Sequence, residues 1–246
     1  MNNFRPSINA IPPVVKNLII INAIMLFATY VLEMRGINLY KILGLHYFES
    51  PDFRPYQLVT HLFMHGDIWH LVFNMFALWM FGRVLESVWG PKRFFIYYFV
   101  TGLGAAAIHS FVNFIEFQHI AGKMSPEEVE RVISYGTEIY NQGKNFTDPL
   151  AYKLNNILNM PTVGASGAVF GILLGFGMLF PNTQLMLLFP PIPIKAKYFV
   201  MGYGAIELFS GIANTGSNIA HFAHLGGMLF GFFMIKYWNK HTTHFY

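Results

Sequence analysis

The stretch Gly164-Ala165-Ser166-Gly167-Ala168-Val169-Phe170-Gly171 opens a segment apolar enough to sit in lipid, and Ala223-His224-Leu225-Gly226-Gly227 lies inside another one. A serine and a histidine are each set among glycine and alanine. Polar side chains inside a bilayer are costly and are functional candidates by default. A hydroxyl and an imidazole are also the minimum set for nucleophilic acyl chemistry. What matters first is whether these segments are membrane helices, and then whether they meet.

Composition favours the first point. The chain is 246 residues long, 54% hydrophobic and 11% charged, with 26 Phe and 13 Met. Soluble domains carry about 25% charged residues, so an all-α membrane protein is expected. With no cysteine, disulfide frameworks, thiolate metal sites and cysteine nucleophiles are excluded. The formal net charge of +4 is not gathered into a basic stripe, so nucleic acid is not an expected partner. The basic residues read instead as topology signals.

A helix needs roughly 20 mostly apolar residues to cross a bilayer. Six segments qualify: 14–32, 68–88, 94–117, 165–180, 198–212 and 219–238. The first has no convincing small-residue cleavage site and is expected to be a retained span rather than a signal peptide. Prolines 51, 55, 91, 126, 149, 161, 181, 190, 191 and 193 fall between segments, where helix breakers belong. Lys and Arg concentrate at the N-terminus and on the second and fourth connections and the C-terminal tail, which places both termini on the cytoplasmic side. One acid, Glu207, falls inside the fifth span. Residues 36–67 are rich in aromatics without a clean span, as expected for an interfacial first loop. Residues 119–162 form a polar extracytoplasmic insertion in a single membrane domain covering 1–246. Within it Ser125-Pro126-Glu127-Glu128 predicts a capping box.

With this topology the second, fourth and sixth helices run in one direction. Their polar residues lie near their starts: His65, His70 and Asn74, then Ser166, then His224. At 1.5 Å per residue all fall within about 10 Å of depth. Gly167, Gly171 and Gly175 form a small-residue ridge beside Ser166, and Ala223, Gly227 and Gly231 form one beside His224. Such ridges let backbones approach closely in lipid, and packing the two together sets serine beside histidine. Ser166 follows Pro161 and Gly164 at a helix start, where free amides can hold an oxyanion. His70 and Asn74, four residues apart, share a helix face and can donate hydrogen bonds to developing negative charge. Phe170, one turn after Ser166, is placed to stack on His224. No third member of a triad is evident. Glu207 is expected elsewhere on the fifth helix, and a Ser–His dyad is the economical reading.

These residues resemble the rhomboid family of intramembrane serine proteases, in its bacterial six-helix form. Gly164-Ala165-Ser166-Gly167 matches a GxSG motif, and Ala223-His224-x-x-Gly227-x-x-x-Gly231 an AHxxGxxxG run. His61-Leu62-Phe63-Met64-His65 with His70 and Asn74 completes the order of motifs between about residues 58 and 231. The resemblance implies a six-transmembrane-helix rhomboid-like bundle. It makes Ser166 the nucleophile and His224 the general base, with His70, Asn74 and the Ser166 amide stabilising the oxyanion. His65, Gly164, Gly167, Phe170 and Gly227 support the site, and residues 211–217 form a mobile cap. It implies transmembrane protein substrates, membrane lipid as surroundings, no cofactor, no metal and a bacterial cytoplasmic membrane, with the site opening outward. Many relatives carry Trp-Arg where this chain has Tyr56-Gln57, which puts first-loop geometry in question. His221 is a second possible base. Competing readings are an inactive relative that binds membrane segments, a metal site or transporter built on His61, His65, His70, His221 and His224, and a soluble-substrate hydrolase.

Overall fold

The computed structural model describes residues 11–186, 191–213 and 218–241. The described residues are all-α apart from one small hairpin and an isolated bridge. Helix α1 (Pro13–Glu33) leads into a first loop carrying the short helices α2 (Leu39–Leu43) and α3 (Gln57–Thr60), the latter continued by a 3-10 turn at His61–Phe63. Helix α4 (Ile68–Ala77) passes through a π-helical stretch, Leu78–Gly82, into α5 (Arg83–Ala121). The break in α5 is at Gly90-Pro91, where Gly90 has φ 78°. Then follow α6 (Pro126–Asn141), α7 (Pro149–Asn159), α8 (Ser166–Leu179), the hairpin β1 (Gln184–Met186) with β2 (Pro193–Lys195), α9 (Ala196–Ile212) and α10 (Asn218–His241). All six apolar segments therefore fall in helices. Among the described residues, Pro13–Glu33 and Ile68–Ala121 are long and apolar enough to cross a membrane, and Ser166–Leu179 is a shorter apolar helix.

Helix α8 is the centre of the bundle. It buries Gly167 through Leu173 and Gly175 through Gly177, being walled by α5, α10, α9 and the π-helical stretch. An enclosed helix has no polar face to show, which is why its sequence lacks amphipathic periodicity. The outside of the bundle is also apolar: Phe27, Trp69, Phe73, Met201, Phe209 and Phe233 are each more than 60% exposed. A surface of this kind needs a non-aqueous surrounding, and the all-α membrane-protein expectation agrees with it.

The N-terminus of α1 is closed from another helix. Glu86, 2% exposed, accepts hydrogen bonds from the amides of Val14 (3.0 Å) and Val15 (2.8 Å). These amides have no partner within their own helix. Glu86 thus belongs to the packed bundle rather than to a solvated loop.

The insertion carries a core of its own. Ser125 accepts from the Glu128 amide and Glu128 reaches back to the Ser125 amide, forming the predicted capping box. Asp148 caps α7 through Leu150 and Ala151. Val132, Ala151, Leu154, Ile157 and Leu158 pack with Phe117, Ile120 and the first-loop Tyr47. The insertion is therefore fastened to α5 and the first loop.

Candidate active site

Ser166 is the first residue of α8. The earliest backbone bond of that turn runs from the Val169 amide to the Ala165 carbonyl, 3.0 Å, so the amides before it lack helical partners. The turn is fixed from below by the first loop, where the Gly164 amide donates to the His61 carbonyl, 3.0 Å. Gly164 has φ 132°, a conformation that L side chains rarely adopt. A Cβ there would lie 3.0 Å from His70 Nε2 and 3.5 Å from Ser166 Oγ. The missing side chain keeps open the space between these two groups.

His224 comes from α10. Its Nε2 lies 2.9 Å from Ser166 Oγ, and its ring stacks on Phe170 with centroids 4.2 Å apart and planes inclined by 6°. Its Nδ1 lies 2.9 Å from Glu207 Oε2 on α9. An ionised carboxylate only accepts hydrogen bonds, so Glu207 holds the imidazole proton on Nδ1. Nε2 is left as the acceptor for the serine hydroxyl, the tautomer a general base needs.

This geometry corrects the expected place of Glu207 and sets an acid behind the Ser–His pair. Glu207 is not elsewhere on its helix; it is 7% exposed and completes a Ser166–His224–Glu207 chain. The signal was present in the sequence, since a carboxylate inside an apolar span is itself a functional candidate. His221, the alternative base, does not face the serine. Its Nδ1 lies 2.7 Å from the same Glu207 oxygen. Among the described residues, Glu207, His221 and His224 hold ligand-type atoms within 4.8 Å of one another. The His61–His65 pair joins no such group; His61 Nδ1 donates to the Gln57 carbonyl, 2.7 Å.

Helix α4 carries the two oxyanion candidates, His70 and Asn74. Asp67 caps α4 by accepting from the His70 amide, 2.9 Å, which sets His70 at the mouth of the site. Asn74 is buried one turn on and donates to the His70 carbonyl, 3.0 Å. His65 is fully buried and meets the edge of His70, centroids 5.0 Å apart. Burial pushes the His65 pKa down to about 4, so it packs as a neutral ring behind His70. Residues 214–217 of the expected cap lie outside the described residues.

The glycine ridges meet beside the Ser–His pair, as expected: a Cβ on Gly227 would collide with the Gly167 carbonyl, and one on Gly167 would lie 3.8 Å from the Ala223 carbonyl. Further along, Gly171, Gly175 and Gly231 face α5. Gly171 lies against Thr101, and Gly175 and Gly231 both lie against the Tyr97 hydroxyl. Tyr97 also donates to the Gly171 carbonyl, 2.8 Å. A third helix with its own four-residue spacing, Tyr97-Thr101-Ala105, fills most of the grooves; a pairwise view of the ridges could not supply it.

Gln57 settles the first-loop question. It is fully buried; its Oε1 accepts from the amides of Arg54 (3.0 Å) and His46 (3.4 Å). Its Nε2 donates to the carbonyls of Asp52 (3.0 Å) and Ile42 (3.2 Å). One neutral amide thereby ties three parts of the loop together, and its own backbone carbonyl holds His61. The bridge Leu45–Thr162 joins that loop to the segment before Ser166. A cleft of about 310 Å³ between the first loop and the insertion is lined by Tyr40, Lys41, Gly66, Tyr140 and Met160 among others. Ser166 and His224 are not among its lining residues.

Comparison with known proteins agrees with this architecture. The family described as "Eukaryotic integral membrane protein (DUF1751)" matches residues 16–245. Rhomboid protein 1, mitochondrial, of Saccharomyces cerevisiae is 26% identical over 71% of this chain and 39% of its own length. RHOMBOID-like protein 12, mitochondrial, of Arabidopsis thaliana is 31% identical over 71% of this chain and 44% of its own. Rhomboid protease GluP of Bacillus subtilis is 27% identical over 72% of this chain and 25% of its own. The chain spans less than half the length of these relatives. The expected location in a bacterial cytoplasmic membrane, with cytoplasmic termini and an outward-opening site, is contradicted by these matches: the matching family is described as eukaryotic, and the yeast and Arabidopsis relatives are named mitochondrial. Charge asymmetry ranks the two sides of a membrane, and it carries no information on which membrane that is. The chain belongs to the rhomboid family of integral membrane proteins.

Proposed function

We propose that this rhomboid-family chain is an intramembrane serine endopeptidase whose six apolar segments each cross the bilayer. The observation that carries the proposal is the continuous contact from Ser166 Oγ to His224 Nε2, and from His224 Nδ1 to Glu207. Ser166 attacks a substrate backbone carbonyl while His224 takes its proton at Nε2. Glu207 holds the imidazole in place and offsets the positive charge it gains. The imidazolium then protonates the leaving amine, and water, activated by the same histidine, releases the acyl-enzyme. The Ser166 amide, His70 and Asn74 stabilise the tetrahedral oxyanion. The free amides at the start of α8 suit that task without reorganisation.

The substrates are membrane proteins cut in or beside a transmembrane segment. The helices around the site turn apolar faces outward, with Trp69, Phe73, Met201, Phe209 and Phe233 exposed, which suits a substrate that arrives within lipid. A carbonyl inside a helix is hydrogen-bonded and covered, so the segment must unwind where it is cut, and small or helix-breaking residues are expected there. No metal or organic cofactor takes part in these steps. A relative that merely binds membrane segments has no need of an acid oriented behind a histidine oriented behind a serine.

The test uses purified protein in detergent or vesicles with a model single-span substrate. Wild-type chain cleaves and is labelled at Ser166 by a fluorophosphonate, while Ser166→Ala does neither. Undiminished cleavage by Ser166→Ala would overturn the proposal.

A further inference from the structure

His221 has no place in that mechanism, yet it approaches Glu207 more closely than His224 does, at 2.7 Å against 2.9 Å. Two imidazole Nδ1 atoms and a carboxylate oxygen converge from two helices, all within 4.8 Å. The histidines are three residues apart on α10, so both point to one side. Their side chains are 27% and 20% exposed, against 9% for Glu207. The group therefore has a buried acid at its base and an open side from which an ion can enter.

We infer that Glu207, His221 and His224 form a site for a divalent transition-metal ion of the zinc class, and that occupancy switches the protease off. The donor set, two imidazoles and one carboxylate, is a known zinc combination that leaves a fourth position for water. Ligand bonds of about 2.0–2.2 Å require the two Nδ1–oxygen separations, now 2.7 and 2.9 Å, to open by a few tenths of an ångström. The stacking of His224 on Phe170 allows the ring to slide in its own plane.

The inhibitory part rests on the proposed mechanism and follows from proton counting. A neutral imidazole has one N–H. At present it is on Nδ1 of His224, donated to Glu207, and Nε2 is free to accept the serine proton. A metal ion on Nδ1 requires its lone pair, so the proton moves to Nε2. His224 can then donate to Ser166 but no longer accept from it. No proton is lost and nothing is oxidised; the base is held in its idle tautomer. Each of the ligands is a residue of this chain, and Glu207 exchanges its role as hydrogen-bond acceptor for one as ligand.

The test begins with zinc binding to the detergent-solubilised full chain carrying Ser166→Ala, by calorimetry and by competition with a zinc-responsive dye. One ion per chain is expected, with affinity at least tenfold weaker in His221→Ala, in the more conservative His221→Asn, and in Glu207→Gln. Cobalt in place of zinc should give the visible absorption of a four-coordinate nitrogen–oxygen site, a readout that needs no variant. In the serine-containing chain zinc should suppress cleavage and a chelator should restore it. Zinc binding with an affinity that all three variants leave unchanged, or none in the parent chain, overturns the metal site while leaving the protease proposal intact. Binding as expected in a metal-free chain that never cleaves overturns the protease instead. Cleavage unaffected at saturating zinc overturns the switch.

Discussion

Glu86 and Glu207 are both buried glutamates on apolar helices, and each lends its carboxylate to a different helix. Glu86 receives two backbone amides at the start of α1. Glu207 receives two imidazoles on α10. Amide protons do not leave their nitrogens, so the contact at Glu86 is a splint and has one state. Imidazole protons can move, so the contact at Glu207 selects one tautomer from several. The same side chain in similar burial thus acts in architecture at one place and in proton placement at the other. What decides is the partner, not the acid.

Several substitutions can break or sharpen that contrast. The largest effect is expected at the far end of the Glu207 chain. Ser166→Ala and His224→Ala should each lower cleavage of a membrane substrate by more than about 10⁴-fold, with thermal unfolding unchanged. Glu207→Gln keeps the shape but removes the charge that fixes the tautomer. A loss of about 10²–10⁴-fold in cleavage rate is expected, again with a normal melting temperature; full activity would make Glu207 a second splint.

Gly227→Val acts on both properties together. It forces apart the backbone contact with Gly167, and a cost of about 1–3 kcal/mol should accompany lost cleavage and lost fluorophosphonate labelling. Glu86→Ala is the mirror of Glu207→Gln. It uncaps α1 and should lower stability by about 1–2 kcal/mol, measured by denaturant or thermal unfolding. The folded fraction should cleave at close to the parent rate; a large catalytic defect in folded protein would erase the distinction.

The smallest effect concerns His61, which holds the Gly164 turn through its carbonyl. Burial lowers its pKa from 6.5 to about 4. The unfolded chain takes up a proton near pH 6.5, and the folded chain does not until about pH 4. Stability should therefore fall as pH drops through this window, and be fully present above it. His61→Asn, which cannot titrate, should flatten that slope in melting experiments.

Much of this was legible beforehand, and the limits have physical causes. Hydropathy and proline placement mark the helices because a buried backbone must satisfy itself locally. Ser166, His224, His70 and Phe170 could be grouped because they start co-directional helices or lie one turn apart. Glu207 escaped because its partners are on another helix, 14 and 17 residues away, and nothing local records that distance. The small-residue ridges announced close packing but not the third helix. Thr101 and Tyr97 fill the grooves that Gly171 and Gly175 leave, and such complementarity exists only once three helices meet. Gln57 was visible only as a departure from a motif; its role needs the four backbone groups it ties together.

The shortness of α8 has a further consequence. Its 14 residues rise about 21 Å, against about 30 Å of hydrocarbon in a bilayer. With α8 in the bilayer as proposed, Ser166 at one end of that helix would be set at a fixed depth, and depth can be counted along a membrane substrate. If α8 reaches the opposite boundary, the deficit of roughly 9 Å corresponds to about six residues of a helical substrate. On the proposed function, the protease would then carry a ruler: it would choose its bond by distance from the membrane surface, and sequence would decide mainly whether the chain can unwind on arrival.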